Sequence, residues 1–240
     1  MTELGGGIVE RDDAGFRLTL PRAASDVYSD AQISDYASRT DFSQRPPLRL
    51  SLRARFDGDL KGTAGFGFWN HAFMPGTRSF RLPQAIWFFF TSRENDIALA
   101  RGIAGHGWKA AAINARSRRF LALLPSALPG FLLMRNRMLY ATLWPIGQRA
   151  IGVSEALLDE ALCREFHNYR IDWFDGRAVF AVDGEVVHEA EHVASGPLGF
   201  IAWIDNQYAV VTPQGRFKGG LLPASGAQSL EVRDIQISPL

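Results

Sequence analysis

LRLSLRARF (48–56) alternates without a break. Leu48, Leu50, Leu52, Ala54 and Phe56 fall on one side of an extended chain, and Arg49, Ser51, Arg53 and Arg55 on the other. Successive side chains of a strand point to opposite faces, so this period of two describes a strand with one buried and one solvated face. Asp57-Gly58 then turns the chain. GTAGFGFWN (62–70) follows, an aromatic strand whose glycines let something approach the backbone closely. LPQAIWFFFTS (82–92) is a continuous apolar run of strand length, as expected of a strand covered on both faces. Upstream, residues 6–20 read as one or two opening strands with Gly15 at a turn, and Tyr28 to Tyr36 as a strand with alternate polar side chains. Downstream, HNYRIDWFDGRAVFAVDGEVVHE (167–189) reads as strands joined at Asp175-Gly176 and Asp183-Gly184. GPLGFIAWIDNQYAVV (196–211) and SLEVRDIQIS (229–238) complete a mostly antiparallel all-β chain.

The middle of the sequence breaks this pattern. Between Ile97 and Ser154 lie eight bases (Arg101, Lys109, Arg116, Arg118, Arg119, Arg135, Arg137 and Arg149) and no acid, which leaves 18 bases against 25 acids elsewhere. FLALLPSALPGFLLM (120–134) is apolar, but Pro125, Pro129 and Gly130 prevent one straight helix. A short helix is expected before Pro145, and SEALLDEALCREF (154–166) has helical spacing behind a capping Ser154. Residues 1–240 are therefore read as a single β-sandwich domain, with 108–166 an apolar, basic, partly helical insertion or lid. With 47% hydrophobic residues the chain has ample material for a core and is not expected to be disordered. Cys163, the sole cysteine, excludes an internal disulfide. MTELGGGIVERDD lacks the basic start and apolar stretch of a signal peptide, so a complete chain of this sequence is expected in the cytoplasm. No apolar run is long enough to predict a spanning helix.

His167, Tyr169 and Trp173, followed by Val182-Asp183-Gly184, resemble the paired strands of glycoside hydrolase family 16. LEVRDIQIS is similar to that family's last strand, and YSDAQI, LRLSLRARF and GFGFWN to its strand order ahead of the active site. The resemblance covers about three quarters of the chain and implies a concanavalin A-like β-sandwich, a jelly roll of two antiparallel sheets with a partly helical insertion. It also exposes a departure. The family carries Glu-x-Asp-x-Glu, or one residue longer, on the strand matching QAIWFFFTS, where alternation brings a nucleophile and an acid/base together. Here Gln84, Ile86, Phe88 and Phe90 take one face and Ala85, Trp87 and Phe89 the other, with no carboxylate on either. Glu94 and Asp96 lie beyond the expected strand end at Ser92-Arg93.

A glycan-binding protein on a glucanase-like scaffold, without classical retaining hydrolase activity, is the first functional expectation. Sugar rings stack on aromatic planes, which singles out Trp69, Trp87, Phe88, Phe90 and Trp108, with Asn70, His71 and Gln84 as polar neighbours. The polar interruption Asp205-Asn206-Gln207 either binds a ligand or holds a bulge, and Asp205 is the candidate for a lone catalytic carboxylate. Two alternatives stay open. One is an enzyme with a rearranged acid, glycoside hydrolase-like or a cyclase or isomerase of an apolar small molecule. The other is contact with a membrane surface through 120–134. The ligand is expected to be a carbohydrate or an apolar small molecule. No cofactor, metal site or nucleic-acid partner is expected: His188 and His192 sit in a strand-to-turn setting, and the bases lie among leucines without a recognised module. Glu231 stands near where some such sandwiches bind calcium.

Overall fold

A computed structural model describes residues 1–38, 41–72 and 81–240. Among these, two seven-stranded sheets stack face to face. The first sheet runs, in spatial order, β1 (Thr2–Leu4), β4 (Asp30–Ser34), β14 (Gly199–Asp205), β6 (Thr63–Trp69), β7 (Gln84–Thr91), β9 (Gly107–Asn114) and β10 (Ser154–Leu157). The second runs β13 (Glu185–Glu191), β12 (Arg177–Val182), β11 (His167–Phe174), β5 (Leu48–Asp57), β17 (Gln228–Pro239), β3 (Gly15–Leu20) and β2 (Ile8–Arg11). All neighbours within these two sheets are antiparallel. A small third sheet of β16 (Phe217–Leu221), β15 (Gln207–Val211) and β8 (Asp96–Ile97) stands beside the first.

The alternation of 48–56 does what its pattern demands. Leu48, Leu50, Leu52, Ala54 and Phe56 enter the core, where they meet Phe66, Phe68, Ile86 and Phe88 of the opposite sheet. On the outer face Glu231 accepts from Arg17 (2.7 Å), Arg55 (2.6 Å) and Arg233 (3.0 Å). Its oxygens are thus committed to guanidinium groups, and among the described residues no cluster of three or more His, Cys, Asp or Glu could hold a metal ion.

The middle of the chain corrects the expected insertion. Gly107–Asn114 and Ser154–Leu157 are strands of the first sheet, so the helical excursion narrows to α1 (Arg118–Leu123), a 3-10 turn at Leu124–Ser126, α2 (Ala127–Leu133) and α3 (Arg137–Ile151). The helix expected over 154–166 does not form. Ser154–Leu157 pairs with β9, Leu158 N–H bonds to the Trp108 carbonyl, and Asp159 caps only a 3-10 turn at Glu160–Cys163. A free sheet edge offers the inward-facing backbone groups of the segment partners, which outweighs helical spacing over a few residues. Nor does the preceding helix stop before Pro145: α3 runs through it, capped by Asn136 and ended by left-handed Gly152. Proline removes the bond to the carbonyl four residues back. That carbonyl, Ala141, instead accepts from the Arg101 guanidinium at 3.4 Å.

Candidate functional site

The face of the first sheet turned away from the core is a cleft of about 600 Å³. Strand register lays out its floor in rows. Across one row Gln32, Trp203, Gly65 and Phe89 are neighbours; across the next, Ile201, Gly67 and Trp87. The glycines of GTAGFGFWN let neighbouring β7 pack close, and Gly65 also makes room for a ring. A Cβ on Gly65 would lie 2.9 Å from the Trp203 ring, and one on Gly67, where φ is +151°, would lie 2.6 Å from the Trp87 Cα. What comes closest to both glycines is the backbone of neighbouring β7, the carbonyl oxygens of Phe88 and Ile86, with the Trp203 ring next at Gly65. The result is a continuous aromatic floor. Trp87 lies 5.0 Å from Phe89 and 5.1 Å from Trp203, and Trp69 lies 6.5 Å from Trp203 with the planes only 7° apart. Ile97, Leu99, Val153 and Leu221 add apolar walls.

The row above Trp203 carries the chemistry. Asp30 on β4 and Asp205 on β14 are directly opposed cross-strand partners, and both line the cleft. Such partners have Cβ atoms about 4.5–5.5 Å apart. Their surroundings differ sharply. Asp205 accepts from Thr63 Oγ1 (2.8 Å), Gln207 N (3.1 Å) and Gln207 Nε2 (3.2 Å), and Thr63 Oγ1 in turn accepts from Trp203 Nε1 at 3.0 Å. Burial still prevails over these bonds and pushes the Asp205 carboxyl up to about 7. Asp30 is 1% exposed, and among the described residues neither carboxyl oxygen has a hydrogen-bond partner. Burial, then the Asp205 charge, hold its carboxyl well above the usual aspartate range. The adjacent Tyr28 hydroxyl is likewise raised by burial and then by Asp205.

Of the candidates read from sequence, the fold brings together Trp69, Asn70, Gln84, Trp87, Asp205 and Gln207 at the cleft. Asn70 and Gln84 are already engaged: Asn70 bonds to the Leu82 carbonyl and the Gln84 N–H, and Gln84 Nε2 to Asn114. Four candidates lie elsewhere. Phe88 is the wrong parity for the cleft and packs in the core against Tyr169 (4.9 Å) and Phe180 (5.4 Å). Trp108 is fully buried against Phe56, Phe66 and Phe88, because β9 turns Trp108 inward and Lys109 outward. Asn206 is a structural hub: its amide donates to the carbonyls of Ala24, Val27 and Leu222 and accepts from Ser29 N–H. Phe90, the fourth ring of that run, packs against the core as well. Sequence reading missed Asp30, Trp203 and Phe89. The alternation of GFIAWID, which sets Ile201, Trp203 and Asp205 on one face, was the signal for Trp203.

No family model and no curated protein matches the chain. Solved structures do. One comes from work on endo-acting O-glycanases that gut microbiota use to initiate mucin breakdown; it is 11% identical with a TM-score of 0.51 over 93% of this chain and 80% of that one. An apo Crh5 transglycosylase is 10% identical with a TM-score of 0.50 over 99% and 78%. A Bacteroides ovatus mixed-linkage-glucan GH16 structure with a G4G4G3G product is 11% identical with a TM-score of 0.46 over 98% and 89%. At such identities the likeness shows the fold. The chain is a two-sheet antiparallel β-sandwich, a fold it shares with the first two of these structures. Within this chain's cleft, β7 presents Ala85, Trp87 and Phe89, and the paired acids stand on β4 and β14.

Proposed function

We propose that the cleft binds a largely apolar, ring-bearing small molecule and isomerises or cyclises it by acid–base chemistry, with Asp30 as proton donor. The observation that carries this reading is the Asp30 carboxyl, buried at the cleft with no hydrogen-bond partner among the described residues and opposed by Asp205. Two carboxyls this close do not both ionise readily, so the couple retains a proton near neutral pH. Asp205 is held by Thr63 and Gln207, whereas the Asp30 carboxyl has no hydrogen bond among the described residues to give up when a ligand seats against it.

Asp30 gives its O–H proton to a double-bond carbon or an oxygen of the ligand and becomes a carboxylate. The resulting cation is held over the Trp87 and Trp203 faces, whose π-electrons favour positive charge. Loss of a proton from a neighbouring carbon back to Asp30 restores the acid, and no electrons are exchanged. The apolar walls exclude water that would trap the cation.

Glycan binding is the second reading. The tryptophan platform favours it, as does the glucanase-type scaffold shared with an O-glycanase study structure and a transglycosylase. Against it, Asn70, Gln84, Asp205 and Gln207 already spend hydrogen bonds within the protein, whereas a sugar needs many free polar partners.

Incubation in D2O with a panel of terpenoid-sized alkenes and enones should place deuterium into at least one compound, read by mass spectrometry. Asp30→Asn should slow that exchange by about 10²-fold or more. Tryptophan fluorescence should show that the variant still binds the same compound. Saturable quenching by cellotetraose, with no apolar compound bound, would replace this reading with glycan binding.

A further inference from the structure

We infer that the helical excursion Arg118–Ile151 docks on an anionic lipid bilayer, lying in the interface beside the mouth of the cleft. The helices are built against the ordinary logic of a soluble surface. From Arg118 to Leu133 not one residue is buried, although the stretch is rich in leucine and phenylalanine. Eight large apolar side chains between Leu121 and Ile146 are exposed, among them Leu128 (77%), Leu132 (61%), Met138 (80%) and Ile146 (58%). Isolated exposed apolar residues need no explanation, but eight of them on helices that pack against one another mark a contact surface.

The charges say what that contact is. Arg116, Arg118, Arg119, Arg135, Arg137 and Arg149 are exposed, and among the described residues none of them forms an ion pair. The excursion contains no acid to answer them. Apolar side chains surrounded by unopposed arginines match the two layers of an anionic leaflet: acyl chains within, phosphate and carboxylate headgroups above. The longest helix, α3, has 15 residues, and no described helix is long and apolar enough to cross a bilayer. The mode is therefore lying on the membrane.

The patch is joined to the cleft by side-chain contacts. Phe131 of α2 meets Phe217 of β16 edge to face at 5.6 Å, and Gly219 to Leu221 of that strand line the cleft. Trp144 of α3 donates to the carbonyl of Leu99, another lining residue, at 2.9 Å. A molecule dissolved in the leaflet thus meets the cleft wall directly. This delivery role rests on the apolar-ligand reading above; the docking does not, and it is tested without any ligand.

The test is co-sedimentation of the full chain with sucrose-loaded vesicles. Vesicles of phosphatidylcholine and phosphatidylserine (about 7:3) should pellet the protein at low salt. Vesicles of phosphatidylcholine alone should bind at least tenfold more weakly, as should the anionic vesicles in 0.5 M salt. Leu128→Ser/Leu132→Ser/Met138→Ser should lose binding, as should Arg118→Glu/Arg119→Glu/Arg135→Glu, with circular dichroism unchanged because every altered side chain is exposed. Equal pelleting with and without vesicles overturns the proposal. So does a concentration-dependent dimer that the serine variant abolishes, since a second copy would then be what covers the patch.

Discussion

Asp30→Val should unfold at a higher temperature than the native chain, and its advantage should grow with pH. Asp30 occupies a strand whose other residues are buried or half-buried, yet both its carboxyl oxygens are buried and, among the described residues, unpartnered. An unsatisfied buried polar group costs about 1–3 kcal/mol, more once it carries charge. Valine is close in size and suited to a strand, so it removes the polar atoms without opening a large void. A gain of about 2 kcal/mol corresponds to roughly 4–8 °C in a chain of this size. The pH dependence follows from the direction of the shifts. Burial raises the carboxyl affinity for protons in both Asp30 and Asp205, the latter to about 7. Between the usual aspartate range and that value the folded chain holds more protons than the unfolded chain. The couple's contribution is therefore intact at acid pH and is lost as pH rises through about 7. The variant lacks half of the couple, so its margin over the native protein should be small at pH 4 and largest at pH 8. Thermal unfolding at pH 4, 6 and 8 reads this. A variant less stable than native, or a margin indifferent to pH, would mean that Asp30 is a satisfied structural residue. A stabilised variant that no longer exchanges deuterium into its ligand would mark Asp30 as a group kept for chemistry at the expense of stability.

The reach of the sequence had physical limits at identifiable residues. The strand 48–56 was legible because one of its faces meets water and the other does not. Asp205 stood out as a polar interruption of an apolar strand. Asp30 gave no such signal: between Ser29 and Gln32 it looks like one more polar residue on a solvated face. Only its pairing with a strand far downstream turns that face into a cleft wall. Phe88 was misplaced for the converse reason. In QAIWFFFTS both faces are apolar, so parity carries no information about which one meets the core. Trp108 and Lys109 were absorbed into a basic, apolar insertion because a cation inside a buried strand contradicts composition, and the anion that permits it lies on another strand. The exposed leucines of 120–134 were conspicuous as residues, but their exposure depends on what else the fold leaves to cover them.

Lys109→Met should destabilise the protein by about 3–5 kcal/mol, measured by urea unfolding at pH 8. Lys109 Nζ lies 3.3 Å from Glu155 Oε2, and the two side chains are only 1% and 8% exposed. Burial raises the Glu155 carboxyl while the Lys109 charge opposes that rise. Methionine fills nearly the same volume, so the loss reports the stranded carboxylate more than a cavity. Glu155 can escape by taking a proton, so the deficit should shrink as pH falls towards 5, the sign expected when the folded state binds the extra proton. The double variant Lys109→Met/Glu155→Leu should recover most of the loss, because an apolar pair of similar volume replaces a buried ion pair at little cost. A single variant as stable as native, or a double variant no better than the single, would show that the pair is not an isolated buried couple. Glu155 lines the cleft from its edge strand, whereas Lys109 sits on β9 beside Phe89. If the double variant regains stability and still loses its ligand, the pair is retained for what it does to the cleft, since hydrophobic packing alone would have served the fold.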